Sequence, residues 1–183
     1  MAGRKAVQST HNDKHDPIQL RGSRGVRRLS ALVGLGLAIT ILGLATPGQG
    51  QDAGAGVWAQ GGCSDCHGNL AEGGDGGDAP AGPNLRRTRL DRDQIAEVIA
   101  CGRPGTSMPF NLTGAYSKTS CYGLPPGEVP AEVKGAGRFT AEELESLVNF
   151  LTDNVVGQRR ITRDNCAVFF GGNRNSPLCL QYN

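Results

Sequence analysis

Apolar residues along this chain fall into one long run and a few stripes at helical spacing. Leu144, Leu147, Val148, Leu151 and Val155 recur with the period of a helix face and predict a helix running to about Val155. Its start is written into Phe139-Thr140-Ala141-Glu142-Glu143-Leu144. There Thr140 and Glu143 make a capping box, and Phe139 and Leu144 a hydrophobic staple. Ile95, Val98 and Ile99 predict a second helix, capped by Asp91 and reaching Ala100. Residues 54–62 predict a short helix with Val57 and Trp58 as its packing residues, and Asn165 to Phe170 one further short helix. The stretch from Gly68 to Gly82, rich in Gly, Asp and Ala, reads as a solvated loop. Residues 111–137, with Pro125-Pro126 and several glycines, read as a long irregular insertion.

The long apolar run, Leu29 to Ala45, interrupted only by Ser30 and Thr40, follows a basic start (Arg4, Lys5, Lys14, Arg21, Arg24, Arg27, Arg28) and precedes Thr46-Pro47-Gly48-Gln49-Gly50. Small residues at Gly48 and Gly50 predict an export signal over residues 1–50, cleaved before Gln51. Seventeen residues are near the lower limit for crossing a bilayer, so an uncleaved anchor at 29–45 is the competing reading. The segment also changes the charge. It holds seven Lys and Arg against two Asp, so a chain of nominal charge +2 becomes −3 without it. The basicity therefore says nothing about nucleic acid, and no basic stripe with interleaved aromatics is present.

The candidate chemistry lies in Cys63-Ser64-Asp65-Cys66-His67-Gly68. Two thiols separated by two residues, with histidine directly after the second, form the attachment pattern of a c-type haem. Each thiol adds to one vinyl group, and the short loop presents His67 as an axial nitrogen ligand. A thioredoxin-like pair does not need the histidine, and a zinc half-site needs a second half at similar spacing, which is missing. The remaining cysteines, Cys101, Cys121, Cys166 and Cys179, are even in number, which in an exported protein predicts disulfides. Four cysteines allow three pairings. Sequence proximity favours Cys101–Cys121 and Cys166–Cys179, each contributing about 3 kcal/mol in the chain-entropy model. A four-thiolate zinc site is the alternative, although none of the four lies at Cys-x-x-Cys spacing.

Cys63 to Gly68, Gly82-Pro83-Asn84-Leu85 and Gly102-Arg103-Pro104-Gly105-Thr106-Ser107-Met108-Pro109 together resemble a bacterial class I cytochrome c over about residues 54–156. The resemblance implies an all-α domain, residues 51–157, wrapped around one covalent haem c. Residues 158–183 are then a C-terminal extension, closed by Cys166–Cys179. It also implies that the Pro83 carbonyl accepts the other ring N–H of His67, orienting the ring and raising its basicity. Asn84 and Leu85 would line the same side. Relatives often carry an aromatic four residues before the first haem cysteine; here Ala59 holds that place and Trp58 is one earlier. Trp58 reads as core packing, Arg86, Arg87 and Arg89 as a solvated cluster able to pair a propionate or steer an acidic partner. The extension reads as an edge cap rather than a partner-docking surface.

Met108 is the second axial ligand by this resemblance. Apart from Met1 it is the only methionine, and His11 and His15 lie in the export segment. Cys101–Cys121 would brace its loop. A thioether and an imidazole together fill both axial positions and raise the potential relative to two histidines. The function expected is a periplasmic one-electron carrier, not an enzyme, serving redox-partner proteins such as a periplasmic dehydrogenase or a respiratory complex. No nucleic acid is expected, and a membrane only if the signal stays uncleaved. The alternative is the haem subunit or dedicated acceptor of a periplasmic dehydrogenase, for instance a quinoprotein alcohol dehydrogenase. An open-site haem enzyme such as a peroxidase requires Met108 to be displaced.

Overall fold

The structure is a computed structural model that describes residues 49–74 and 77–183. The predicted export segment, 1–50, lies outside the described residues apart from Gln49 and Gly50, which open the first helix. Among the described residues no helix is long and apolar enough to cross a membrane.

Two helices from opposite ends of the described chain, α1 (Gln49–Gln60) and α4 (Ala141–Asn154), pack face to face. Their approach depends on one residue without a side chain. A Cβ built on Gly54 would lie 2.3 Å from the Ser146 carbonyl oxygen and 2.4 Å from Phe150 Cβ. Glycine inside a helix is less stable than alanine by roughly 0.5–1 kcal/mol; here it lets two backbones touch. Ala55, Val57 and Trp58 of α1 meet Leu147, Val148, Phe150 and Leu151 of α4 in the main core. The expected stripe on α4 is therefore shifted slightly: Phe150 joins it, and Leu144 is only partly buried. α4 begins with the predicted capping box, Glu143 N–H donating to Thr140 Oγ1 at 3.2 Å and Thr140 N–H to Glu143 Oε2 at 2.8 Å.

Between them come α2 (Ser64–His67), a 3-10 turn at Leu85–Arg87, and α3 (Arg92–Cys101). Asp91 caps α3, accepting from Gln94 N–H at 2.9 Å, and Ile95 and Ile99 enter the main core. The fold is mostly helical rather than all-α. β1 (Phe110–Leu112) pairs in parallel with β2 (Gly135–Phe139), Phe110 opposite Gly135 and Leu112 opposite Phe139 with an irregularity between. The insertion between them leaves and returns at neighbouring points, so its two ends satisfy their backbone groups by pairing with each other.

The loop after His67 also differs from the expectation. Leu70 and Ala71 are fully buried, so its first half is core and not solvated. The far end of the chain forms α5 (Arg163–Ala167), a 3-10 turn at Val168–Phe170, and another at Cys179–Gln181. Cys166–Cys179 closes this segment, and both sulfurs pack around Leu70 in a small core of their own. Phe169 reaches the main core, edge-on to Trp58 (5.6 Å between centroids) and to Phe150 (5.0 Å). Residues beyond Gly157 thus wall the core, which goes further than capping an edge.

Candidate functional site

Gly61 and Gly62 end α1, and the chain turns directly into Cys63 and α2. Cys63 O accepts from His67 N–H at 2.9 Å, and the turn holds the two thiols and the imidazole together. Cys63 and Cys66 are free and half-buried, and His67 is buried. Burial pushes the Cys63 thiol up to about 11, against a smaller opposing pull from the Arg138 guanidinium. At neutral pH it is a thiol rather than a thiolate.

His67 is fixed through one nitrogen. Its Nδ1 lies 3.0 Å from the Pro83 carbonyl oxygen, which accepts the ring N–H and leaves the Nε2 lone pair available to a ligand. Two backbone bonds position that carbonyl: Gly82 N–H donates to Cys66 O at 2.7 Å, and Gly73 N–H to His67 O at 2.7 Å. The approach needs glycine at 82, because a Cβ there would lie 2.7 Å from Cys66 O and 2.9 Å from His67 Nδ1. Trp58 flanks the imidazole with 6.3 Å between centroids, packed in the core as expected. Asn84 Oδ1 is buried nearby in sequence with no hydrogen-bond partner among the described residues.

Met108 sits at the closing end of the loop between α3 and β1, half-buried against the main core. Arg103 N–H donates to Met108 O at 3.0 Å, closing the loop, and Thr106 Oγ1 accepts from Met108 N–H at 3.2 Å. Gly102 makes the closure feasible. It has φ +68°, and a Cβ there would lie 2.5 Å from Phe110 N. The structure joins Cys101 to Cys121 and Cys166 to Cys179, the pairing that sequence proximity favours and one that leaves no thiolate tetrad for zinc.

Several residues that shape this region were not singled out in the sequence. Tyr116 is buried and donates its hydroxyl to Cys101 O at 2.9 Å; Tyr122 donates to Gly102 O. Burial raises both phenols above their ordinary value, so both remain donors at neutral pH. Asn111 Nδ2 donates to Pro109 O at 3.1 Å and Ile99 O at 3.3 Å. The insertion is therefore a clasp on the Met108 loop. On the cysteine side, Arg138 donates to Gly61 O at 2.8 Å, and Phe139 Cζ lies where a Gly61 Cβ would be, 2.6 Å away. Tyrosines flanking Cys121 were the available signal for the clasp; nothing in the sequence marked Arg138. Of the arginine cluster, Arg87 and Arg89 are exposed as expected, but Arg86 is 1 % exposed.

The donor set fits a c-type haem: two free cysteines, an imidazole oriented through Nδ1, and an orphaned buried amide oxygen on Asn84, next in sequence to Pro83. Residues 49–118 match the family model described as cytochrome C oxidase, cbb3-type, subunit III. Searches of curated proteins and of solved structures returned no match. Geometry and family match both support haem-based electron transfer. The match over residues 49–118 supports a c-type cytochrome.

Proposed function

We propose that the protein is an exported, periplasmic one-electron carrier with a single haem c. Cys63 and Cys66 hold the haem through thioether bonds, and His67 and Met108 are the axial ligands. When bound, such a haem supplies a one-electron couple. The chain's own residues decide what that couple does. The Pro83 carbonyl, at 3.0 Å from Nδ1, keeps His67 in the tautomer that ligates through Nε2 and raises its basicity. That contact carries the reading because it fixes the ring of a histidine that directly follows two free cysteines, with Nε2 left for a ligand. Gly102, Tyr116, Tyr122 and Cys101–Cys121 hold the loop that presents Met108. A thioether kept in place excludes oxygen and peroxide, which favours outer-sphere transfer over open-site chemistry. Residues 51–157 form the haem-binding unit, and 158–183 its wall behind His67. The export signal over 1–50 is cleaved, and the electron donor is a periplasmic dehydrogenase or a respiratory complex.

The test is chemical. Haem should stay with the protein through acid-acetone extraction, and the pyridine haemochrome should be of c type; haem that extracts freely removes the reading. Met108→Ala should abolish the weak charge-transfer band in the red and lower the reduction potential, because the thioether's preference for ferrous iron is lost. If Met108 is only core packing, the same change should lower stability by about 2–5 kcal/mol with potential and spectrum unmoved.

A further inference from the structure

Arg86 is a buried arginine whose guanidinium is only partly paired. Its Nε donates to Leu70 O at 2.6 Å and its Nη1 to Gln158 O at 3.2 Å, while Nη2 is buried with no partner among the described residues. The guanidinium lies over the Phe169 ring, 5.7 Å from its centroid. Phe169 meets Trp58 edge-on, and Trp58 flanks His67. Leu70 follows His67 by three residues, in the loop that Gly73 closes onto the His67 carbonyl. One side chain thus ties together the loop after His67, the exit of α4 and the aromatic pair behind the imidazole. Neutral donors can also satisfy backbone carbonyls, and burying a cation without full compensation is costly. Burial disfavours the charged guanidinium and the Glu72 carboxylate partly offsets this, while Glu72 Oε2 already accepts from Leu70 N–H at 2.7 Å.

We propose that Arg86 is a positioning residue of the centre assigned above: it holds the Leu70 loop and the Trp58–Phe169 pair behind His67, and its fixed charge favours the reduced centre. This rests on the carrier reading. The step it biases is the uptake of one electron from a reducing partner protein, with no bond broken and no proton moved. The reduced centre carries one positive charge fewer than the oxidised one, so a buried cation on the His67 side favours it.

The experiment uses the full haem-loaded chain, with midpoint potentials from spectroelectrochemistry and thermal melts on each variant. Arg86→Gln keeps an amide donor and loses the charge; Arg86→Lys keeps the charge and loses the planar fork. Arg86→Gln should lower the ferrous-to-ferric ratio at fixed ambient potential about tenfold, a fall of roughly 59 mV for one electron. Arg86→Lys should stay within about threefold of the parent ratio while melting as low as Arg86→Gln. A folded Arg86→Gln protein with unchanged potential overturns the proposal, because a purely structural tie predicts lost stability alone. If Arg86→Gln yields no holoprotein, Arg86→Lys decides: a tenfold fall despite retained charge overturns the proposal, and a ratio near the parent's upholds it. Parent protein that surrenders its haem to acid-acetone refutes the carrier reading instead, whatever the variants do.

Discussion

Tyr116 donates its phenolic hydroxyl to the carbonyl of Cys101 at 2.9 Å, from inside the loop that Cys101–Cys121 closes. The covalent bond and the hydrogen bond therefore clamp the same end of α3, immediately before the turn that presents Met108. Tyr116→Phe keeps the ring, 1 % exposed, and strands a buried carbonyl. A loss of about 1–3 kcal/mol in urea unfolding is expected. Losing the disulfide as well, in Cys101→Ala/Cys121→Ala, should remove about 3 kcal/mol more. In both variants the red charge-transfer band should disappear at lower urea than the far-ultraviolet helix signal. Coincident loss of the two signals would show that the clasp has no particular hold on Met108.

Much of the site was readable in advance because its residues sit close together in the chain. Cys63, Cys66 and His67 lie within five residues, and Pro83 and Met108 each come with flanking glycines or prolines that mark a tight turn. The helix starts at Asp91 and Thr140 were legible for the same reason, since a capping box is a local device. What escaped was set by contacts distant in sequence. Arg86 belongs to a run of exposed-looking arginines, and only Leu70, Gln158 and Phe169 arriving from three other segments bury it. The sheet escaped because Phe110–Leu112 is only three residues long and Gly135–Phe139 is broken by glycine. Gly54 looked like one more glycine in a glycine-rich helix, and only the position of Ser146 gives it meaning.

That position makes Gly54 a sharp test of the packing between α1 and α4. Gly54→Ala places a methyl group against backbone, which cannot rotate away. Overpacking of this kind typically costs about 1–3 kcal/mol, outweighing the roughly 0.5–1 kcal/mol gained in helix propensity. Gly56 lies two residues on with nothing within 4 Å of its Cβ position, and is the internal control. Gly56→Ala should be neutral or stabilising in the same urea titration. Equal effects at the two positions would mean the helices do not approach as described.

Cys63 offers a pH-dependent check on the protein before haem is attached. Its thiol is raised to about 11 by burial, above the unfolded value of about 8.5. The folded state therefore holds this proton more tightly than the unfolded state. Its stabilising effect is fully present below about pH 8.5 and is lost as pH rises towards 11. Haem-free protein at pH 8 should alkylate slowly at Cys63 and faster in urea, where the thiol regains its ordinary acidity. The rate in native buffer should keep climbing past pH 10. A plateau near pH 9 would contradict the burial of this sulfur.

The wall behind His67 has a consequence for the order in which the molecule is made. Phe169 and Cys179, which finish that wall, emerge from the ribosome about a hundred residues after the haem-motif cysteines. Gly54 likewise waits for Ser146 and Phe150 on α4. A chain made in this order cannot shut its reactive segment early, because the parts that shut it do not yet exist. Cys63 and Cys66 stay reachable to modifying machinery for as long as the later third is still being delivered. On the proposed function, placing the closing elements far downstream acts as a timer, leaving the motif open to haem attachment on the still-unfolded exported chain before the packing that seals it in.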